Sequence, residues 1–308
     1  MNIKIYMKFN LKKIKCPTCE ESTLKYLGLR GGKYQRLKLG IETKIVQCVK
    51  CSLIFPNPFP FANNLDEVYN DHSTYFENKS EWHIHKEKMR HIVDKFIEKI
   101  EMSINKKIHM LDVGAGRGEF VSACNDSKQI NALGIEISTN FIQYAKKQKV
   151  NLSNKSLENL IENGYNFDGI CLQAVIEHVH DPDEIIKNIS KLLRKDGILY
   201  IDCPQEPNLL TIIGNFFNKL TLKKGVYNLQ PTWEPYHVYG FNIKSLSKLL
   251  NKYDLKIIEK LIWADPYVKP LSKSFFEITK CYLATKINQV SNFIGLASNM
   301  CVWVKKIK

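Results

Sequence analysis

The sequence predicts an α/β protein, a doubly wound sheet preceded by a small metal-stapled module. Three observations carry that expectation. Two Cys-x-x-Cys pairs, Cys16/Cys19 and Cys48/Cys51, lie in the first fifty or so residues. A buried-strand pattern, Ile108 to Val113, runs into the glycine-rich turn Gly114-Ala115-Gly116-Arg117-Gly118. Strand and helix patterns then alternate, which is the order a parallel sheet covered by helices requires.

At 308 residues the chain can bury a large core and still carry a satellite unit. The expected division is a cysteine module over 1–60, a helical connector or lid over 61–105, and the sheet domain over 106–308. The composition, 44% hydrophobic and 25% charged, is that of a globular protein and excludes long disorder. No apolar run reaches the roughly 18 residues that cross a bilayer. The longest candidate, Leu209 to Phe217, is interrupted by Thr211, Gly214 and Asn215. The start Met1-Asn2-Ile3-Lys4-Ile5-Tyr6 lacks a signal peptide's apolar centre and cleavage site, so a cytoplasmic location with reduced thiols is expected. Cys124, Cys171, Cys203, Cys281 and Cys301 sit in apolar patterns and are read as core residues. The net charge of +14 would suit a polyanion or an anionic membrane, but the lysines are spread along the chain. Nucleic acid is therefore the less favoured partner.

In the first module, each Cys-x-x-Cys turn presents two sulfurs to one point, and four thiolates in tetrahedral array suit a structural Zn²⁺ with no open position for catalysis. Cys16, Cys19, Cys48 and Cys51 are the expected ligands. A redox pair would need only one such turn, so zinc is preferred. Gly31-Gly32 and the strand-like run Ile41 to Gln47 predict a β-ribbon between the two turns, ended by Pro56-Asn57-Pro58-Phe59-Pro60. Residues 61–80 carry Tyr69, Tyr75 and Phe76, and apolar residues at helical spacing from Met89 to Ile100 predict a helix over 81–102.

In the sheet domain, glycine lets a ligand approach the main chain where a Cβ would block it. The spacing of Gly114, Gly116 and Gly118 is G-x-G-x-G, unlike the dinucleotide pattern. A second strand, 132–137, carries Glu136 about 20 residues past the turn, where a carboxylate can accept hydrogen bonds from a ribose diol. Phe167 to Leu172 is a third strand, Gln173 to His180 its loop, and Asp181-Pro182-Asp183 opens a helix to Arg194. Lys195-Asp196-Gly197 turns into the strand 198–202. Leu255 to Trp263 and Asn299 to Lys305 are candidates for a closing hairpin. Between them Leu271, Phe275, Ile278, Tyr282 and Leu283 mark an amphipathic helix. Packing against the core or a twin subunit is preferred for its apolar side over docking on a membrane surface.

The stretches LDVGAGRG, GIEIS, FDGICLQAVIEHVHDP and LLRKDGILYIDCP resemble successive motifs of the class I S-adenosylmethionine-dependent methyltransferases. The resemblance implies a Rossmann-like seven-stranded sheet and S-adenosylmethionine as cofactor. It also implies that Gly114, Gly116 and Gly118 line the methionine and ribose, that Glu136 holds the ribose hydroxyls and that Gln173 lies beside the cofactor. Asp112 matches the acidic position near the methionyl amine. Where many relatives place an acidic residue on the adenine amine, this chain has Lys155-Ser156-Leu157-Glu158.

Methyl transfer is an in-line displacement, so positioning and water exclusion dominate, and a base is needed only where the acceptor must lose a proton. Ligands bind beyond the carboxyl ends of the strands, which directs attention to Glu177-His178 and, in the insertion 204–239, to Tyr236-His237. The cysteine module, the Tyr75 region, EHV and PYHVYGFNIKSL together resemble the zinc-containing methyltransferases of bacterial sugar metabolism, especially deoxysugar C-methyltransferases. That likeness implies a sugar, sugar-nucleotide or glycan acceptor bordered by His178, Tyr236 and His237, with Tyr75 closing the site. No counterpart of those enzymes' additional C-terminal domain is expected within these 308 residues, and Val-Tyr follows the Tyr-His pair where they have Glu-His. Carbon and oxygen acceptors therefore both stay open. The alternatives are an RNA base methyltransferase that uses the ribbon to bind RNA, and a non-catalytic cofactor-binding protein.

Overall fold

The computed structural model describes residues 9–35, 38–64, 79–100, 107–230, 236–270, 272 and 274–308. Tyr69, Tyr75, Phe76 and Leu271 lie outside the described residues.

The first strands are short. β1 (Phe9–Lys12) pairs with β5 (Phe59–Ala62), while β2 (Leu24–Arg30), β3 (Thr43–Cys48) and β4 (Ile54–Pro56) form a three-stranded antiparallel sheet. The ribbon expected from Gly31-Gly32 and residues 41–47 is present, with Gly31 and Gly32 both at positive φ. Next comes helix α1 (Lys79–Lys99), where residues 81–102 were expected to be helical.

The large sheet has seven strands in the order β11-β12-β10-β9-β6-β7-β8. These are β6 (Ile108–Val113), β7 (Ile130–Ile135), β8 (Leu152–Ser153), β9 (Phe167–Gln173), β10 (Leu193–Pro204), β11 (Leu255–Trp263) and β12 (Asn299–Lys306). β9, β6, β7 and β8 are joined by parallel pairings, with Asp112 of β6 registered between Gly134 and Cys171. The helices are α2 (Glu119–Asn125), α3 (Thr139–Lys147), α4 (Leu157–Glu162), α5 (Pro182–Leu192), α6 (Leu209–Leu220), α7 (Ile243–Leu250) and α8 (Phe275–Ile294). Their starts are chemically marked. Asp181 accepts hydrogen bonds from the N–H groups of Asp183 and Glu184 with Pro182 in the first turn, and Ser138 and Ser156 cap α3 and α4.

The chain divides into two units. One holds residues 62–201, 249–259 and 303–308. Its core includes an aromatic cluster in which Phe96 of α1 meets Trp303 edge-on, with ring centroids 4.9 Å apart, and also touches Phe120 and Tyr200. Lys95 and Lys99 of α1 both pair with Glu259.

The other unit holds residues 1–61, 202–248 and 260–302. Here the insertion 204–239 is built onto the ribbon by main-chain bonds. Leu29 N–H donates to Lys224 O and Val226 N–H to Leu29 O, each at 2.9 Å, while Ile54 and Gly240 exchange both bonds. Ile45 and Ile54 of the ribbon share a core with Val226 and Leu229. Glu206, buried, accepts from Asn228 Nδ2 and Leu229 N–H at 2.6 Å each and fixes the start of the insertion to residues 228–229 within it. Burial raises the Glu206 carboxyl to about 7.

Candidate active site

In the unit of residues 62–201, β6 ends at the glycine turn. Gly114, Gly116 and Gly118 take φ of +69°, +53° and +83°, the left-handed region that glycine adopts without steric cost. Their surroundings differ. A Cβ on Gly114 would meet Val175 Cγ2 at 2.5 Å, and one on Gly118 would meet Val150 Cγ1 at 2.9 Å, whereas one on Gly116 would find nothing within 4 Å. Packing alone therefore accounts for Gly114 and Gly118. Gly116 alone of the three fronts open space, where a ligand can reach main chain.

Glu136 follows β7 and is buried. Its Oε2 accepts from Gly116 N–H at 2.7 Å and its Oε1 from Ser138 N–H at 2.8 Å. The carboxylate is thus held against the open glycine, with further lone pairs on both oxygens to receive hydroxyl donors. Burial raises its pKa, and the bonds from Ser138 and Gly116 oppose that rise. Asp112 is buried in β6, two residues before Gly114. Desolvation, followed by repulsion from Glu136 and Glu119, pushes its carboxyl up to about 8. Such a site favours a cation, because an ammonium would restore the ionised form.

Sequence reasoning missed Trp82. It is buried near the start of α1, and its Nε1 donates to Arg117 O at 3.2 Å, so the helix pins the glycine turn. Arg117 in turn pairs with Glu119 at 2.7 Å and lies over the Tyr144 ring. The available signal was helical spacing, since Trp82 falls on the same face as Met89, Val93, Phe96 and Ile100. The adenine-side residues are occupied elsewhere. Ser156 caps α4, Leu157 is buried, and Glu158 Oε1 accepts from Asn188 Nδ2 at 2.6 Å, tying α4 to α5.

Gln173, partly exposed, ends β9, and Ala174 reverses the chain at φ +49°. The following loop packs Val175 on Gly114. His178 N–H donates to Val175 O at 2.9 Å, and His178 Nε2 lies 3.9 Å from Oε1 of the buried Glu177. His180 is a different case. Its Nε2 accepts from Ala62 N–H at 3.2 Å, and burial lowers its pKa, so it serves as a neutral structural acceptor.

In the other unit Tyr236 meets Phe9 edge-on with ring centroids 5.7 Å apart, and the main-chain oxygen of His237 accepts from Arg30 NH1 at 2.8 Å. Arg30 comes from β2 of the ribbon and is buried, and desolvation lowers its pKa to about 10. The ribbon therefore holds the Tyr236-His237 segment directly. Tyr75 lies outside the described residues.

The four module cysteines come together. Cys16 and Cys51 sulfurs are 3.4 Å apart and Cys19 and Cys48 sulfurs 3.5 Å apart, with all four within 4.8 Å of one another. These separations are too long for disulfides and close to the roughly 3.8 Å edge of a tetrahedron with Zn–S bonds near 2.3 Å. The two turns are copies of each other. Cys16 N–H donates to Glu21 O and Cys48 N–H to Leu53 O at 2.9 Å, while Glu20 N–H returns to Cys16 O and Ser52 N–H to Cys48 O. Glu20 and Ser52 share the left-handed conformation at φ +59° and +66°. Contact with Cys51 and burial push the Cys16 thiol well above its ordinary value, main-chain N–H groups of Cys19 and Thr18 oppose that rise, and a cation among the four sulfurs would favour the thiolates. The residues fit a tetrahedral zinc.

A glycine turn open at one residue, a carboxylate clamped against it and the seven-stranded order together define a class I S-adenosylmethionine-dependent methyltransferase. The family comparison agrees. The "Methyltransferase domain" family matches residues 82–260, and the chain belongs to it. It is similar to the ubiquinone biosynthesis O-methyltransferase of Coxiella burnetii, 30% identical over 143 residues that cover 44% of this chain and 60% of that one. The corresponding enzyme of Actinobacillus pleuropneumoniae is 25% identical over 198 residues, covering 60% and 79%. The mitochondrial one of Dictyostelium discoideum is 32% identical over 110 residues, covering 30% and 34%. The chain thus spans about a third to three-fifths of the length of the first curated relatives it matches. Among solved structures, a SAM dependent methyltransferase from Archaeoglobus fulgidus covers 76% of this chain with all of its own, at a TM-score of 0.50 and 16% identity, a likeness of fold.

Proposed function

We propose that this methyltransferase acts on a hydroxyl of a sugar, sugar nucleotide or surface glycan, with His178 as the base. The cofactor supplies a methyl group on a positively charged sulfur, open to in-line attack by a nucleophile. Gly116 would lie against the adenosyl group, Glu136 would accept the ribose hydroxyls, and Asp112 would face the methionyl ammonium. Gly114, Gly118 and Gln173 would shape the remaining wall.

The observation that carries the acceptor chemistry is the Glu177-His178 pair in the loop leaving β9. Its Nε2 to Oε1 separation of 3.9 Å places a buried carboxylate beside an imidazole, where it stabilises the imidazolium formed on taking a hydroxyl proton. A carbon acceptor already activated would need no such base. The relatives' printed names are those of O-methyltransferases, which supports oxygen. The likeness of the cysteine module, EHV and PYHVYGFNIKSL to sugar-modifying methyltransferases supports the sugar.

Zinc on Cys16, Cys19, Cys48 and Cys51 has a structural task in this reading. It stiffens the ribbon whose Arg30 holds the His237 main chain, and so steadies Tyr236 and His237 for the acceptor. Tyr75 is retained as a residue that borders the acceptor. The functional division stays 1–60 for the zinc module, 61–105 for the connector and 106–308 for transfer.

The test is incubation with methyl-labelled cofactor and separate pools of sugar nucleotides, polysaccharide, quinol precursors and RNA. Label in a sugar hydroxyl supports the reading, and label in quinols or RNA alone refutes the sugar acceptor. His178→Ala should lower kcat by about 10²–10⁴ and leave cofactor affinity unchanged. Undiminished turnover would remove His178 from the chemistry.

A further inference from the structure

Two helices of the unit containing the ribbon are inside out. At about 100° per residue, Leu210, Ile212, Phe216, Phe217 and Leu220 of α6 fall in one arc of about 160°, and all five are exposed. The opposite side of α6 is polar and faces the protein. Thr211 is buried, Asn215 bonds both Asn228 and Tyr227 N–H, and Asn218 donates to Gly225 O at 2.7 Å.

α8, which packs on α6, repeats the inversion. Its inward side carries Cys281, Asn288 and Ser291, with Asn288 donating to Asp265 O and Asn292 bonded both ways to Ala264. Its outward side carries Phe275 at 87% exposure and Phe293 at 93%, together with Phe276, Tyr282, Leu283 and Val290. The expectation joined packing on the core with packing on a twin subunit, and only the first is at odds with these exposures. Phe275, Ile278, Tyr282 and Leu283 all point outward. Single exposed apolar residues are ordinary, but two adjoining helices with apolar outer faces form a surface that water solvates poorly.

Charge selects the occupant. From Asn208 to Thr232 the chain has Lys219, Lys223 and Lys224 and no acidic residue. From Asp265 to Ser298 it has Lys269, Lys273, Lys280 and Lys286 against Asp265 and Glu277, and Glu277 is paired with Lys280. A second copy of this chain would bring lysines against lysines, whereas an anionic lipid surface neutralises them while receiving the phenylalanines. Among the described residues no helix is long and apolar enough to cross a membrane, so these would lie in the interface plane. We propose that α6 and α8 form a docking surface for an anionic bilayer, a property independent of the methyl acceptor.

The test is flotation of the full chain with vesicles of phosphatidylglycerol and phosphatidylcholine, and with vesicles of phosphatidylcholine alone. The chain should float with the anionic vesicles and be released by salt. A Phe216→Ser/Phe217→Ser/Phe275→Ser/Phe293→Ser variant should partition at least ~10-fold less. All four positions are exposed, so its circular dichroism and cofactor affinity should match the parent. Lys219→Glu/Lys223→Glu should weaken anionic binding as well. No flotation, equal flotation with both vesicle types, or a concentration-dependent dimer that the serine variant splits while no vesicle binds would each overturn the proposal.

Discussion

Replacing Gly116 with alanine separates ligand exclusion from folding. A Cβ there meets no protein atom within 4 Å, so the structural cost is the left-handed backbone alone, φ +53°. For an L-residue that costs roughly 1–2 kcal/mol, which for a unit of this size lowers the melting temperature by about 2–8 °C. The added methyl occupies the space beside main chain that the adenosyl group needs. Even a displacement that loses one charged hydrogen bond to Glu136, worth about 1.5–3 kcal/mol, weakens binding about 10- to 150-fold. Gly134→Ala supplies the contrast. Its Cβ would press on Leu152 and reach Val121 at 2.8 Å and Ala115 of the turn at 3.0 Å, so stability should fall by about 1–3 kcal/mol with no atom added on the open side of Gly116. Calorimetry with S-adenosylhomocysteine beside thermal melts measures both quantities. Unchanged affinity in a folded Gly116→Ala protein would refute the reasoning.

Other consequences can be measured directly. Asp112 has a folded pKa of about 8 against an ordinary 3.8, so its contribution to stability of the free protein is full below pH 3.8 and is lost as pH rises towards 8. An ammonium that requires the ionised form must displace that proton. Cofactor affinity should therefore climb by up to about tenfold per pH unit between 6 and 8, and Asp112→Asn should flatten the profile. Cys48→Ser should lower bound zinc, measured by atomic emission, and reduce kcat with little change in cofactor affinity, since the ribbon holds His237 and the glycine turn lies in the other unit. Unchanged metal content would count against the four-sulfur site. Glu136→Gln should weaken cofactor binding by about tenfold or more in calorimetry, because the amide loses charge where hydroxyl donors converge.

The parts of the fold legible in the sequence are those where local chemistry and burial agree. The strand at 108–113, the glycine turn and Glu136 were readable because closely spaced glycines after an apolar strand mark a left-handed turn and a carboxylate about 20 residues on can accept hydrogen bonds beside it. The hairpin strands at 255–263 and 299–305 recur as neighbours β11 and β12. Other features were set by long-range contacts. The expected helix to Arg194 stops at Leu192, and the residues read as a turn at Lys195-Asp196-Gly197 lie within β10. The insertion 204–239 carried no sign that it would dock on the ribbon, because its partners at Leu29 and Ile54 are main-chain groups nearly two hundred residues away. Helical spacing announced an apolar face on α8 but not its direction, and α6 showed only as an interrupted apolar run from Leu209 to Phe217. A 3.6-residue period says that a face exists, and only the asparagines bonded inward reveal that it points out.

The central claim is that Gly116 and Glu136 together receive the adenosyl end of the cofactor. A crystal structure of the full chain with S-adenosylhomocysteine tests it most directly. The account predicts both ribose hydroxyls on the Glu136 carboxylate and the ligand against Gly116 main chain. A ligand bound elsewhere, or a Glu136 turned away from it, would contradict the account.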